Sequence, residues 1–200
     1  MAETFSCALI LLAAGASSRM GRPKQLLPVE GRPLVRAMAE TVFAAPVAPV
    51  IVVLGAHAEE ILPALDGLPL RAVVNAGWAE GLGSSLRAGM KELAAVAPKV
   101  DAVIVVLADQ PDVSAAHLAR LIAAHAKTGR SIVASEHHGV PMPPALFSAR
   151  HFPALGALRG DTGARALFQT HRREVVTVQL ESANDLDTPA DYENFLRPPP

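Results

Sequence analysis

The stretch Leu11–Pro28, LLAAGASSRMGRPKQLLP, sets the reading of the whole chain. An apolar run, Cys7 to Leu12, enters a loop of small residues carrying Gly15 and Gly21, hydroxyls at Ser17 and Ser18, and cations at Arg19, Arg22 and Lys24. Small residues let backbone N–H groups approach a ligand closely, and the nearby cations complement an anion. The pattern predicts a β-strand whose carboxyl end opens into an anion-holding loop, suited to the phosphates of a nucleotide.

Two common glycine loops are excluded. A P-loop requires GxxxxGK followed by Ser or Thr, whereas Arg22 and Pro23 follow Gly21. A dinucleotide fingerprint requires GxGxxG, and Gly15 is followed by Ala16, Ser17 and Ser18. An arbitrary strand–loop–helix turn would explain the glycines, but not cations gathered at a strand's carboxyl end.

Working outward, strands and helices alternate. Leu34, Met38 and Val42 mark a helix over Leu34–Ala45, and PVIVVLG at Pro49–Gly55 reads as a buried parallel strand. A short helix, Glu59–Leu65, precedes a strand, Leu70–Val74. Ser84 or Ser85 is the expected N-cap of a helix carrying Leu86, Met90 and Leu93. Ala102–Leu107 is a strand, Ser114 caps a helix bearing Leu118, Leu121 and Ile122, and Ser131–Ala134 is a further strand. Beyond Glu136, Pro141, Pro143 and Pro144 predict a loop or a sheet edge. A strand over Val175–Gln179 and a helix over Pro189–Leu196 close the pattern. The alternation predicts an α/β fold, a three-layer sandwich around a mostly parallel sheet. One domain is expected over residues 1–197, with 198–200 a disordered tail.

Composition narrows the function class. Lys and Arg number 18 against 19 Asp and Glu, so nothing favours broad attraction to nucleic acid or membrane, and any basic site is local. Cys7 is the only cysteine, which rules out an internal disulfide or a cysteine metal cluster. Glu3 rather than Lys or Arg precedes the first apolar run, so no signal peptide is expected, no segment is of membrane-spanning length, and the cytoplasm is the expected location.

Two further stretches carry chemistry. Asp109 follows the apolar run Ala102–Leu107, which places it at the sheet's carboxyl edge beside the first loop. Alone it reads first as an aspartate closing a turn before Pro111; together with the first loop and a bound triphosphate it is a candidate ligand for Mg²⁺. In Asp185–Asp191, DLDTPAD, Thr188 or Asp187 is placed to cap a helix beginning at Pro189. His137 and His138 are adjacent and cannot share one face of a strand, so a solvated loop is expected there.

LAAGxSxRMGxxKxLLP closely resembles the N-terminal signature of nucleotidyltransferases, the molybdenum cofactor cytidylyltransferases above all. DxDTPxD, NAGWAEGLGSSL at Asn75–Leu86 and GDTGAR at Gly160–Arg165 resemble later motifs of that family, in the same order. The resemblance implies the Rossmann-like sheet of nucleotide-diphospho-sugar transferases. It also implies transfer of a nucleotidyl group from a nucleoside triphosphate to a phosphorylated acceptor, with release of pyrophosphate. Leu12, Ala13, Ala14, Gly15, Lys24, Asn75, Gly81, Ser85 and Asp109 are the implied nucleotide-binding residues. Lys24, Arg19 and Asp109 are the implied catalytic residues, and Asp109 and Asp187, rather than Asp185, the Mg²⁺ ligands. Ala14, in LAAG rather than LAGG, points by resemblance to CTP, with molybdopterin as acceptor and a molybdoenzyme or its chaperone as partner. The segment EHHGVPMPPALF, Glu136–Phe147, departs from the family's usual GxP pattern on the acceptor side. A sugar-phosphate nucleotidyltransferase, a non-catalytic nucleotide-binding protein and an NAD-binding oxidoreductase are the rival readings, the last disfavoured by the missing GxGxxG.

Overall fold

The computed structural model describes residues 5–197. The expected tail at 198–200 lies outside them. Strand β1 (Cys7–Ala13) runs into the glycine loop, a 3₁₀ turn at Lys24–Leu26 and a two-residue hairpin, β2 (Pro28–Val29) and β3 (Arg32–Pro33). Then come α1 (Leu34–Phe43), β4 (Val50–Leu54), α2 (Ala58–Ile61), β5 (Arg71–Val74), α3 (Leu82–Val96) and β6 (Ala102–Leu107). The second half holds α4 (Ala115–Thr128), β7 (Ile132–His137), β8 (Val140–Ser148), α5 (Phe152–Leu155), α6 (Ala166–Thr170), β9 (Val175–Gln179) and α7 (Pro189–Phe195).

Seven strands form one sheet in the order β5-β4-β1-β6-β8-β7-β9, parallel except for β8, which runs antiparallel to both neighbours. Side chains alternate across it, as strand geometry requires. Leu9, Leu11, Val52, Ile104 and Val106 face the layer of α1, α4 and α7, where Leu34, Met38, Leu118 and Tyr192 pack. Ile10, Leu12, Val53, Val103 and Val105 face the layer of α3, α5 and α6, where Leu86, Leu93, Leu155 and Phe168 pack. All seven residues of β1 are buried, so both alternating sets contribute core. The expected three-layer α/β sandwich is therefore the fold.

Three local expectations need correction. The proline-rich segment is a strand rather than a loop: it is β8, between β6 and β7 in the sheet. β6 pairs only with Ala145–Ser148, so Pro141, Pro143 and Pro144 have a strand on one side alone, and β7 shifts register there, between Ala134 and Ser135. The missing proline N–H groups thus fall where few ladder bonds are made. Next, Gly81 rather than Ser84 or Ser85 sits at the N-cap of α3. Ser84 Oγ donates to the Gly81 carbonyl at 2.8 Å and accepts from Asn75 Nδ2 at 2.8 Å, so its hydroxyl is used inside the first turn. Finally, the helix expected at Glu59–Leu65 divides into α2 and a 3₁₀ turn, Leu62–Leu65, because Pro63 supplies no N–H. At α4 the Ser114 cap is as expected, its side chain accepting from the His117 N–H at 3.2 Å.

Candidate active site

The carboxyl ends of β1 and β6 lie side by side, with Leu12 paired to Leu107, so the first loop and Asp109 meet at one sheet edge. The loop is held from beneath by Gln25, which is 2% exposed. Its amide donates to the carbonyls of Ala13 and Gly15, both at 2.9 Å, and its Oε1 accepts from Ser17 Oγ at 3.2 Å. Ser17 Oγ in turn accepts from the Lys24 N–H at 3.0 Å. Ser17 takes a left-handed backbone conformation, φ 55°, and buried Met20 anchors the loop's far side. Among the described residues, the N–H groups of Gly15 through Arg19 donate to no acceptor in the chain. The loop borders, through Gly15, a pocket of about 200 Å³ lined also by Leu12, Ala13, Lys24, Gln25 and Asp109.

Lys24 ties the two distant acidic motifs together. Its ammonium donates to Asp109 Oδ2 at 2.6 Å and to Asp187 Oδ1 at 2.8 Å, and Arg19 reaches Asp187 Oδ2 at 2.8 Å. Burial works against the charge on Lys24, but the Asp109 and Asp187 carboxylates outweigh it and raise its pKa above the ordinary lysine value. Burial likewise opposes ionisation of Asp187, yet Lys24 and Arg19 hold its pKa below the usual carboxylate range. Asp185 goes the other way. Its burial raises its pKa; the hydrogen bond from Gln110 Nε2, at 2.9 Å, opposes the rise, and the Asp109 and Asp187 charges add to it. Of the two C-terminal aspartates, Asp187 is thus the one whose charge the site favours.

The donors suit a hard divalent cation. Asp109 Oδ1 is buried with no hydrogen-bond partner, and Asp109 and Asp187 already converge on one positive centre, the Lys24 ammonium. Oxygen donors of this kind match Mg²⁺ or Mn²⁺.

Other residues singled out in the sequence lie behind this centre. Ala14 is buried, and its carbonyl accepts from the Ala56 N–H at 3.1 Å. A Cβ on Gly55 would fall 2.6 Å from that carbonyl oxygen and 2.6 Å from Trp78 Cβ, so only glycine lets the end of β4 pass there. Asn75 donates to Ser84 and Ser85, at 2.8 and 3.2 Å, bracing the turn before α3 rather than lining the pocket. Gly81, φ 117°, abuts Gly160 and Asp161, and the Gly83 N–H donates to the Gly160 carbonyl at 2.9 Å. GDTGAR therefore packs on the start of α3. Among the described residues Asp161 and Arg165 form no ion pair, because α6 begins only at Ala166 and the two lie outside it.

Sequence reasoning missed Gln25, Gln110 and Gly55. Gln25 had a signal, an amide within an apolar run directly after Lys24; the other two depend on contacts across the sheet. The solvated loop expected at His137 and His138 is instead the end of β7 and its turn: His137 Nδ1 donates to the Leu180 carbonyl at 3.0 Å, while His138, φ 49°, forms the turn into β8. A larger cleft of about 340 Å³, lined by Arg165, Phe168 and Arg172, lacks both the phosphate-type loop and the carboxylate pair. Chemistry rather than size selects the site at Lys24.

The chain matches known proteins along most of its length. Residues 9–175 match the MobA-like NTP transferase domain. Nicotine blue oxidoreductase of Paenarthrobacter nicotinovorans is 36% identical over 193 residues, covering 92% of this chain and 90% of its own. Purine catabolism protein PucB of Bacillus subtilis (strain 168) is 30% identical over 202 residues, covering 94% and 95%. The crystal structure of Rv0371c of Mycobacterium tuberculosis H37Rv in complex with manganese superposes with a TM-score of 0.76 at 30% identity, covering 96% of this chain and 98% of that one. The matched region stops short of Asp185–Asp191, so the place of Asp187 beside Lys24 comes from the tertiary structure. With five-sixths of its length matched and a fold to suit, the chain belongs to the MobA-like NTP transferase family.

Proposed function

We propose that this protein is a Mg²⁺-dependent nucleotidyltransferase that joins the cytidylyl group of CTP to the phosphate of molybdopterin, releasing pyrophosphate. The observation that carries the reading is Lys24, bridging Asp109 and Asp187 at 2.6 and 2.8 Å beside a loop of free N–H donors. Membership of an NTP transferase family supports the chemistry. CTP and molybdopterin rest on the LAAG resemblance, and the metal on the oxygen donors present and on the manganese complex of Rv0371c.

An acceptor phosphate oxygen attacks the α-phosphorus, a new P–O bond forms, and the bond to the bridging oxygen of pyrophosphate breaks. Such a transfer needs positioning and charge neutralisation more than a protein nucleophile. The loop N–H groups and Arg19 grip the triphosphate. Lys24, held cationic by its two carboxylates, meets the charge that builds on the α-phosphate and leaving group. Asp109 and Asp187 would hold the divalent ion, whose charge offsets that of the donor and acceptor phosphates when it is bound. We assign these steps to a single domain in the cytoplasm. Among the described residues, no helix is long and apolar enough to cross a membrane.

The 36% identity with nicotine blue oxidoreductase favours a second reading, redox chemistry on the same scaffold. A sugar phosphate in place of molybdopterin would leave the mechanism unchanged. A thermal-shift panel of CTP, GTP, ATP, UTP and NAD, with and without Mg²⁺, separates these readings. Stabilisation by CTP only with Mg²⁺, followed by pyrophosphate release on adding molybdopterin, is the expected result. A shift with NAD alone would overturn the transferase reading.

A further inference from the structure

At the sheet edge opposite Asp109, β7 begins after Ser131, β9 begins after Glu174, and β8 ends in the turn Ala149–His151. These segments bring His151, His171 and Glu174 together. One ring nitrogen from each histidine and one carboxylate oxygen lie within 4.8 Å of one another. His151 Nε2 is 3.3 Å from Glu174 Oε2, and His171 Nδ1 is 3.5 Å from Oε1. A tetrahedral ion with bonds of roughly 2.0–2.1 Å sets its ligands about 3.3 Å apart. Small side-chain shifts would therefore complete the set. His151 is buried, while His171 and Glu174 are half-buried, leaving the fourth position open to a water.

We propose that His151, His171 and Glu174 form a second metal site, for a borderline divalent ion such as Zn²⁺. Two imidazoles with one carboxylate favour zinc over the hard ions suited to Asp109 and Asp187. The surroundings orient the carboxylate. Ser131 Oγ donates to Glu174 Oε2 at 2.8 Å, leaving Oε1 on the His171 side. Second partners of this kind fix the geometry of a ligand. Ser131 Oγ also lies 2.8 Å from His151 Nε2, and Arg150 Nε donates to that nitrogen at 3.4 Å, so the imidazole lone pair faces Arg150 until an ion takes its place. Arg150 is the counter-charge that a dication would displace, and at 58% exposure its side chain is free to turn into solvent. Bound there, the ion would clamp the end of β8 to the start of β9.

The test uses the full chain carrying Asp109→Asn and Asp187→Asn, which removes the other cation site. Failure of the transferase reading therefore leaves this experiment intact. Equilibrium dialysis should retain one equivalent of Zn²⁺, and Co²⁺ should give the visible bands of a tetrahedral N/O site. Adding His171→Ala or Glu174→Gln should weaken Zn²⁺ binding at least about tenfold, with the metal-free circular dichroism unchanged. Should the double aspartate variant not fold, the same comparison is made in the wild-type chain under saturating Mg²⁺. Absence of a Zn²⁺ equivalent, or affinity that neither His171→Ala nor Glu174→Gln reduces, overturns the proposal.

Discussion

The Leu186 N–H donates to the carbonyl oxygen of Asp109 at 3.0 Å, binding the C-terminal acidic motif to the exit of β6. This backbone bond sets where the Asp187 side chain can reach. Two carboxylates drawn together in this way repel one another, and the Lys24 ammonium between them offsets the repulsion.

Lys24→Ala is expected to lower kcat by about 10²–10³, the cost of removing one preorganised group that meets developing charge. The fold should survive, because the side chain lies at the site and not in the core. Steady-state turnover near wild type, with matching circular dichroism, would rule out the role given to Lys24.

Asp109→Ala should abolish the stabilisation that CTP with Mg²⁺ confers. In the wild type, ligand at a hundredfold excess over Kd adds about 2.7 kcal/mol to stability. The same thermal shift in both proteins would remove Asp109 from the metal site.

Gly15→Ala and Gly81→Ala should part company. A Cβ on Gly15 meets nothing within 4 Å, so that variant should fold normally, and because Gly15 lines the pocket it should raise KM for the nucleotide. A Cβ on Gly81 would lie 2.4 Å from Asp161 Oδ1 and 2.5 Å from the Gly160 carbonyl carbon, at φ 117°. Strain of this type costs about 1–3 kcal/mol before the clash is counted. Urea melts that rank the two variants equally stable would contradict the packing of GDTGAR on α3.

His117 should produce an acid-sensitive fold. Burial first, then the Arg120 charge, lowers its pKa from 6.5 to about 4. Arg120 donates to its Nδ1 at 3.0 Å, so Nε2 carries the proton and donates to Ser135 Oγ at 2.7 Å, which donates to the Pro144 carbonyl at 2.6 Å. As pH falls below 6.5, the unfolded chain takes up a proton that the native ring refuses until about pH 4. Stability fully present above pH 6.5 is then lost, by about 3 kcal/mol at completion. Urea melts at pH 7 and 4.5 should differ less in His117→Asn than in the wild type; an equal drop in both would exclude His117 as the source.

Much of this was legible in the chain because it depends on local periodicity. Ala102–Leu107 and Val175–Gln179 end where their apolar runs end, and the Ser114 cap follows from its hydroxyl and the apolar face after it. Cys7 also matched its reading: it is buried in β1, and desolvation pushes its thiol pKa up to about 12.

The sequence by itself determined that strands and helices alternate and that the first strand opens into a loop of small residues flanked by cations. These follow from residue type and near-neighbour spacing. Only the tertiary structure decided that β8 enters the sheet between β6 and β7, that Gln25 braces the loop, and that Lys24 joins carboxylates 78 positions apart. It also decided that His151, His171 and Glu174 meet at the far edge. The physical reason is the same in each case: strand order and register set which distant side chains share an edge, and neither is encoded in the period of a single element.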